Sequence, residues 1–379
     1  MQEIQPYLEN MLEVGASDVY ITAGSPPVYR IEGVATPTGD TPLSPHDTAL
    51  LASSVMTEKQ RGEFEEKKEM NLALVLQDRG RFRCNIFQQR GAVGLVIREI
   101  KLSVPSLEQL GLPPVLKEIA QSRRGLVLVV GATGSGKSTS LAAMIDHRNS
   151  TMPGHIVTIE DPLEYLHKHK KSIITQREVG FDTLSFHDAL RNTLRQAPDV
   201  ILIGEIRDAE TMEAGITFAE TGHLCLATLH SNNANQAIER IINFFPHERH
   251  NQIYLQLSLN LRAIVSQRLI QGVRGKRAVS VEILMDTPRV RDLVKKAEID
   301  TLKDAMEQGL QEGCQTFDRS LLLLHLAGKI DLEQALANAD SPNNLRIRIR
   351  NEELKEGKGA AEGGSFKIEG QRPSNLRRL

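Results

Sequence analysis

The chain has 379 residues, 40% of them hydrophobic, with 46 basic and 48 acidic side chains, no tryptophan and an aromatic content of 4%. This predicts two or three domains with substantial cores. A net charge of −2 and so few rings argue against an electrostatic trap or a base-stacking surface for nucleic acid. The three cysteines, Cys84, Cys225 and Cys314, are odd in number and form no CxxC pair, which argues against a disulfide framework or a structural zinc knuckle.

The first residues, MQEIQPYLEN, lack the basic start and apolar run of a signal peptide. No apolar stretch reaches the roughly 20 residues that span a bilayer. The expectation is a soluble, cytoplasmic protein. Ile4, Leu8 and Leu12 repeat at helical spacing, with Gly15 as a stop. DVYITAG and PVYRIEG read as short strands. SPHDTALLASSVM reads as a helix capped by Ser44 with Pro45 at its first position. MNLALVL, RFRCNIF and VGLVIREI read as three more strands, the first two joined by a hairpin at QDRGR. Residues 1–100 are therefore expected to form a small α/β domain. The stretch 101–114, KLSVPSLEQLGLPP, has three prolines and no periodicity, and is expected to be a linker.

From residue 115 on, short continuous apolar runs alternate with helical patterns. LVLVVG, HIVTIED, DVILIGE and LCLATLH are the strands of a parallel sheet buried on both faces, a doubly wound α/β arrangement. Beyond about residue 247 the pattern reads as mostly helical. Ile253, Leu257, Leu261, Ile264 and Val265 fall on one helical stripe, VSVEILM reads as a late strand, and shorter helices run to about residue 350. Residues 351–379 are charged and glycine-rich, and are expected to be disordered.

GATGSGKS, Gly131 to Ser138, lies between an apolar strand and a helical run. In that context it is a phosphate-binding loop. Its glycines let backbone N–H groups wrap phosphates, and the following helix N-terminus adds positive potential. Gly131, Thr133, Gly134, Ser135, Gly136, Lys137, Ser138 and Thr139 are the expected nucleotide-binding residues. Lys137 bridges the β- and γ-phosphates of ATP, and Ser138 ligates Mg²⁺. Two strand ends supply carboxylates, Glu160 and Glu205, at the edge where such sheets hold nucleotides. Either one is placed to accept a proton from the attacking water or to hold Mg²⁺ through water. GHLCLATLHS sets His223 and His230 at the two ends of one strand. No further ligand set stands near enough to make these histidines a zinc site. On sequence alone they are a catalytic pair or ordinary strand-end residues.

GATGSGKSTS, IVTIEDPLEYLH, RQAPDVILIGEIRDAET and AETGHLCLATLHS follow one another in that order. They resemble the Walker A, Asp box, Walker B and His box of the type II/IV secretion ATPases, and within them the pilus retraction branch, the PilT/PilU family. The resemblance runs from SDVYITAGSPP to TFDRSLLLLHLAGKI. It implies a RecA-like P-loop ATPase domain, 115–350, with a smaller N-terminal PAS-like α/β domain and a helical C-terminal part. It also implies a homo-hexamer that uses ATP and Mg²⁺ to retract type IV pili, a motor driving twitching motility. Such a motor is peripheral to the inner membrane through a pilus platform protein.

By the same resemblance, Glu160 is the catalytic glutamate and Glu205 the Walker B acid. His223 and His230 sense the γ-phosphate. Arg83 and Arg98, with Arg81 beside them, reach the phosphates of the adjoining protomer, where a permanent planar cation offsets charge on the phosphoryl group. Tyr20 stands where the family often has histidine. RVRDLVKKAE, Arg289 to Glu298, departs from the retraction-linked AIRNLIRE pattern. That departure and the charged tail place the chain on the PilU side, as an accessory of a PilT-like motor. The missing tetracysteine element separates it from extension motors. The alternative is a nucleotide-binding regulatory or structural ring partner with dispensable turnover. The near-neutral charge leaves a DNA-moving ring as the least favoured reading.

Overall fold

The computed structural model describes residues 3–76 and 79–355. The N-terminal strands are β1 (Ala16–Ile21), β2 (Val28–Ile31), β3 (Val34–Pro37), β4 (Glu69–Leu76), β5 (Gly80–Gln89) and β6 (Ala92–Ile100). They form one antiparallel sheet in the order β3-β2-β1-β6-β5-β4. Period-two alternation gives the sheet one apolar face. Phe82, Cys84 and Ile86 of β5, with Leu95 and Ile97 of β6, are buried against helices α1 (Gln5–Val14), α2 (Pro45–Val55) and α3 (Glu58–Lys67). Ser44 and Thr57 each close a capping box at the start of α2 and α3. The opposite face carries Arg81 and Arg83, with Arg98 directly across from Arg83 and Asp18 across from Arg98.

The segment after β6 makes a short bridge, Lys101 to Tyr165. Leu107 and Leu112 are then buried in the core of the second sheet, so the latter half of 101–114 belongs to that body. After α4 (Val115–Ala120) the strands are β7 (Gly125–Val130), β8 (Gly154–Glu160), β9 (Ser172–Glu178), β10 (Val200–Ile203), β11 (Leu224–Leu229), β12 (Leu261–Gln271) and β13 (Arg277–Met285). Their order is β13-β12-β7-β11-β10-β8-β9, parallel throughout except for β13 on β12. Every residue of β7, β10 and β11 is buried, as a sheet covered on both faces requires. Helix α5 (Lys137–Thr151) packs on β7 and β11.

Two expectations are corrected. The stripe from Ile253 to Val265 is not one helix: the helix His250–Asn260 ends and Leu261–Gln271 is a strand. Apolar and polar residues are interspersed along Leu261–Gln271, but its backbone groups are taken up by β7 on one side and β13 on the other, which outweighs helical spacing. The expected disordered tail begins too early, because the helix Pro342–Lys355 includes residues 351–355; the rest of that stretch lies outside the described residues. The C-terminal helices bury their own small cluster, with Leu321, Leu345 and Ile349 packed on Ile270 of β12. Among the described residues no helix is long and apolar enough to cross a membrane.

Candidate functional site

In the parallel part of the second sheet all carboxyl ends point one way. The loop after β7 therefore meets the ends of β8, β10 and β11 at one edge. Gly131–Ser138 turns there into α5, whose first N–H groups face the crevice. Gly136 caps the helix at φ 90°, a left-handed conformation that favours glycine. The Lys137 ammonium donates to the loop carbonyls of Gly131 at 2.8 Å and Ala132 at 3.0 Å. Burial pulls its pKa down, while Glu205 and then Glu164 push it up. The Ser138 hydroxyl donates to Glu164 at 3.1 Å, and Thr139 bonds the Tyr165 hydroxyl at 3.1 Å. The Ser135 hydroxyl is buried without a hydrogen-bond partner among the described residues.

Glu160 is the last residue of β8, and Glu205 follows β10 by two residues. Burial raises the Glu160 carboxyl to about 7; hydrogen bonds from Thr158 and Gln176 oppose this, and the nearby Glu164 and Glu178 add to it. Thr158 Oγ1 donates to Glu160 Oε1 at 2.7 Å. Glu205 accepts from Arg207 Nε at 2.8 Å and lies 3.1 Å from His230 Nε2. Burial first, then the Lys137 cation, lowers the His230 pKa, while Glu205 works against both. Gly204 lets β10 approach β8: a β-carbon there would stand 3.0 Å from Glu160 Cα and 3.1 Å from the Ile159 carbonyl. Gly204, the residue before Glu205, thus lies against the Glu160 backbone.

Thr133, Gly134, Gly136, Lys137, Ser138, Thr139, Glu160, Glu205 and His230 line a single cleft of about 420 Å³. Gly131 and Ser135 form the loop from behind it. Glu164, Tyr165, His167, Leu269 and Arg277 also line the cleft, beyond the residues expected from the sequence. Glu164 lies inside the segment IVTIEDPLEYLH, four residues after Glu160, and that spacing is the signal that marks it. The oxygens of Ser138, Glu164 and Glu205 are hard donors suited to Mg²⁺. The described residues hold no group of three or more His, Cys, Asp or Glu side chains arranged to take a metal.

His223 lies away from the cleft of its own chain. β11 runs parallel to β7, and its amino end lies beside Gly125, where the His223 carbonyl accepts from the Gly125 amide at 3.1 Å. Six strand residues, about 20 Å, separate His223 from the phosphate loop of its own chain. Its ring bonds Thr221 and the Phe218 carbonyl. Of the two ends of β11, the carboxyl end with His230 is the one at the cleft.

Arg81, Arg83 and Arg98 lie outside the cleft. Arg83 Nη1 stands 4.0 Å from Glu178 Oε1; Glu178 is opposite Glu160 in the β8–β9 register. Arg81 and Arg83 both offset the rise that burial causes in the Glu178 pKa. Arg98 Nε donates to Asp18 at 2.7 Å, and its side chain is 67% exposed, so it is open to a neighbouring molecule.

Residues 1–352 match the family model for type II/IV secretion system proteins. The chain is 54% identical over 349 residues to the type IV pilus ATPase PilU of Pseudomonas aeruginosa, covering 92% of this chain and 91% of that one. It is 42% identical over 331 residues to the pilus retraction ATPase PilT of the same organism, covering 87% and 96%. The solved crystal structure of the pilus retraction motor PilT with bound ADP superposes at a TM-score of 0.85 with 43% identity, over 91% of this chain and 99% of that one. The expected RecA-like ATPase fold with a smaller N-terminal α/β domain agrees with that likeness.

Proposed function

The chain belongs to the family of type II/IV secretion system proteins, and from that premise we propose that this ATPase is a motor of type IV pili. In this reading it acts as a PilU-like accessory to a PilT-like motor, as a Mg²⁺-dependent homo-hexamer at the cytoplasmic face of an inner-membrane platform protein. The observation that carries the proposal is the meeting of Lys137, Ser138, Glu160 and Glu205 at one sheet edge.

The amides of the loop and of the α5 N-terminus hold the triphosphate of the substrate ATP. On binding, Lys137 exchanges its loop carbonyls for the β- and γ-phosphate oxygens. Ser138 and Glu205 are the residues that would hold Mg²⁺, which neutralises phosphate charge when bound. Glu160, with a pKa of about 7, takes the proton of the attacking water; a base near the working pH combines availability with basicity. His230, on Glu205, reports the loss of the γ-phosphate to β11. Arg83 and Arg98 complete the pocket of the adjoining protomer, and the start of the 101–114 segment flexes between nucleotide states.

The departure at Arg289–Glu298 favours a second reading, a ring partner that binds ATP and modulates PilT without needing its own turnover. Native mass with a non-hydrolysable ATP analogue, and ATPase rate with and without Mg²⁺, test the enzyme: a six-chain, Mg²⁺-dependent ATPase supports it, and a monomer without turnover refutes it. Normal retraction by Glu160→Gln cells with intact PilT would select the ring-partner reading, and lost force the motor.

A further inference from the structure

We propose that Gln267 is a positioning residue for the phosphate-binding loop, holding it in its nucleotide-binding shape from beneath. Gln267 lies on β12, next to β7 in the sheet, and is 2% exposed. Its amide is used at both ends. Nε2 donates to the Ser135 carbonyl at 2.6 Å, and Oε1 accepts from the Ser140 hydroxyl, itself buried in the first turn of α5, at 2.7 Å. One side chain thus ties the crown of the loop to the helix that follows it.

A β-carbon at Gly136 would stand 2.7 Å from Gln267 Nε2, so the glycine also makes room for the brace. Loops free to explore other conformations lose affinity by the fraction of time spent elsewhere. A loop held from below presents its amides to phosphate without that loss. The same strand carries a second connection. Arg268, one residue on and facing the other way, donates to the Asn338 carbonyl at 2.9 Å, pairs with Asp340 at 3.2 Å and lies 3.7 Å over the Phe317 ring. Neighbouring residues of β12 therefore anchor the C-terminal helices and the phosphate loop.

This inference rests on ATP binding at the loop, and wild-type turnover in the same assay checks that premise separately. Gln267→Met keeps the bulk and removes both hydrogen bonds. Gln267→Glu keeps the shape and the Ser140 bond but sets a carboxylate oxygen against the Ser135 carbonyl. In steady-state hydrolysis by the full chain, both should raise the KM for ATP, and the Kd for ADP by calorimetry, at least about tenfold. The kcat at saturation should stay within about threefold, because Glu160 and Glu205 are untouched. Ser140→Ala, a smaller change, should raise KM in the same direction. Combined with Gln267→Met it should add nothing further, since both remove one brace. An unchanged KM in these variants would overturn the proposal whatever the melting temperature does, as would a fall in kcat at constant KM or full additivity of the two substitutions.

Discussion

Replacing Glu160 by Gln should both disable hydrolysis and stabilise the protein at alkaline pH. The carboxyl titrates at about 7 in the folded chain against an ordinary 4.5, chiefly because it is buried. Between those values the native state holds a proton that the unfolded chain has released, so folding stability falls as pH rises through that interval and is level above it. At about 1.4 kcal/mol per pH unit, the burden of ionised Glu160 is about 3 kcal/mol at pH 8 and under about 1 kcal/mol at pH 5. Glutamine keeps the shape and the bond from Thr158 but carries no such burden. Glu160→Gln should therefore melt several degrees above wild type at pH 8 and nearly with it at pH 5, in paired thermal scans. Its kcat should fall about 10²- to 10⁴-fold, and the wild-type kcat/KM should lose activity below a midpoint near 7. A difference in melting temperature independent of pH, or wild-type turnover by the variant, would refute this reasoning.

Arg83→Ala should cut the turnover of the assembled protein by about 10³ or more if the guanidinium reaches the transferring phosphoryl group across a subunit boundary; steady-state rates at unchanged native mass check it. Gly204→Ala drives a β-carbon into the Glu160 backbone and should cost about 1–3 kcal/mol, read as a lower urea midpoint together with lost activity. The Cys84 and Cys225 thiols, pushed by burial up to about 12, should resist iodoacetamide at pH 8 in the native protein and react once it is unfolded.

The phosphate loop and the two glutamates were legible because each depends on local chain: a strand, a turn, a carboxylate at the strand end. What was missed depends on strands that pair at a distance. Gln267 was hidden because Leu261–Gln271 keeps an apolar spacing that a helix shares. Only the β7 and β13 partners on either side make the stretch a strand and put the amide under the loop. β9 went unnoticed for a similar reason: at the sheet edge, with Ile173 63% exposed, it lacks the continuous apolar run of its neighbours. The motif spacing coupled His223 to His230, yet a parallel strand has one end at the crevice and one away from it. The direction of β11 alone separates them.

ATP binding and hydrolysis, measured side by side for the full chain and Lys137→Ala, probe the crevice most directly. With wild-type secondary structure by circular dichroism, the variant should bind ATP at least about a hundredfold more weakly, a loss of roughly 2.7 kcal/mol, and show no turnover above background. Full-rate hydrolysis by Lys137→Ala would place the nucleotide elsewhere and contradict the account.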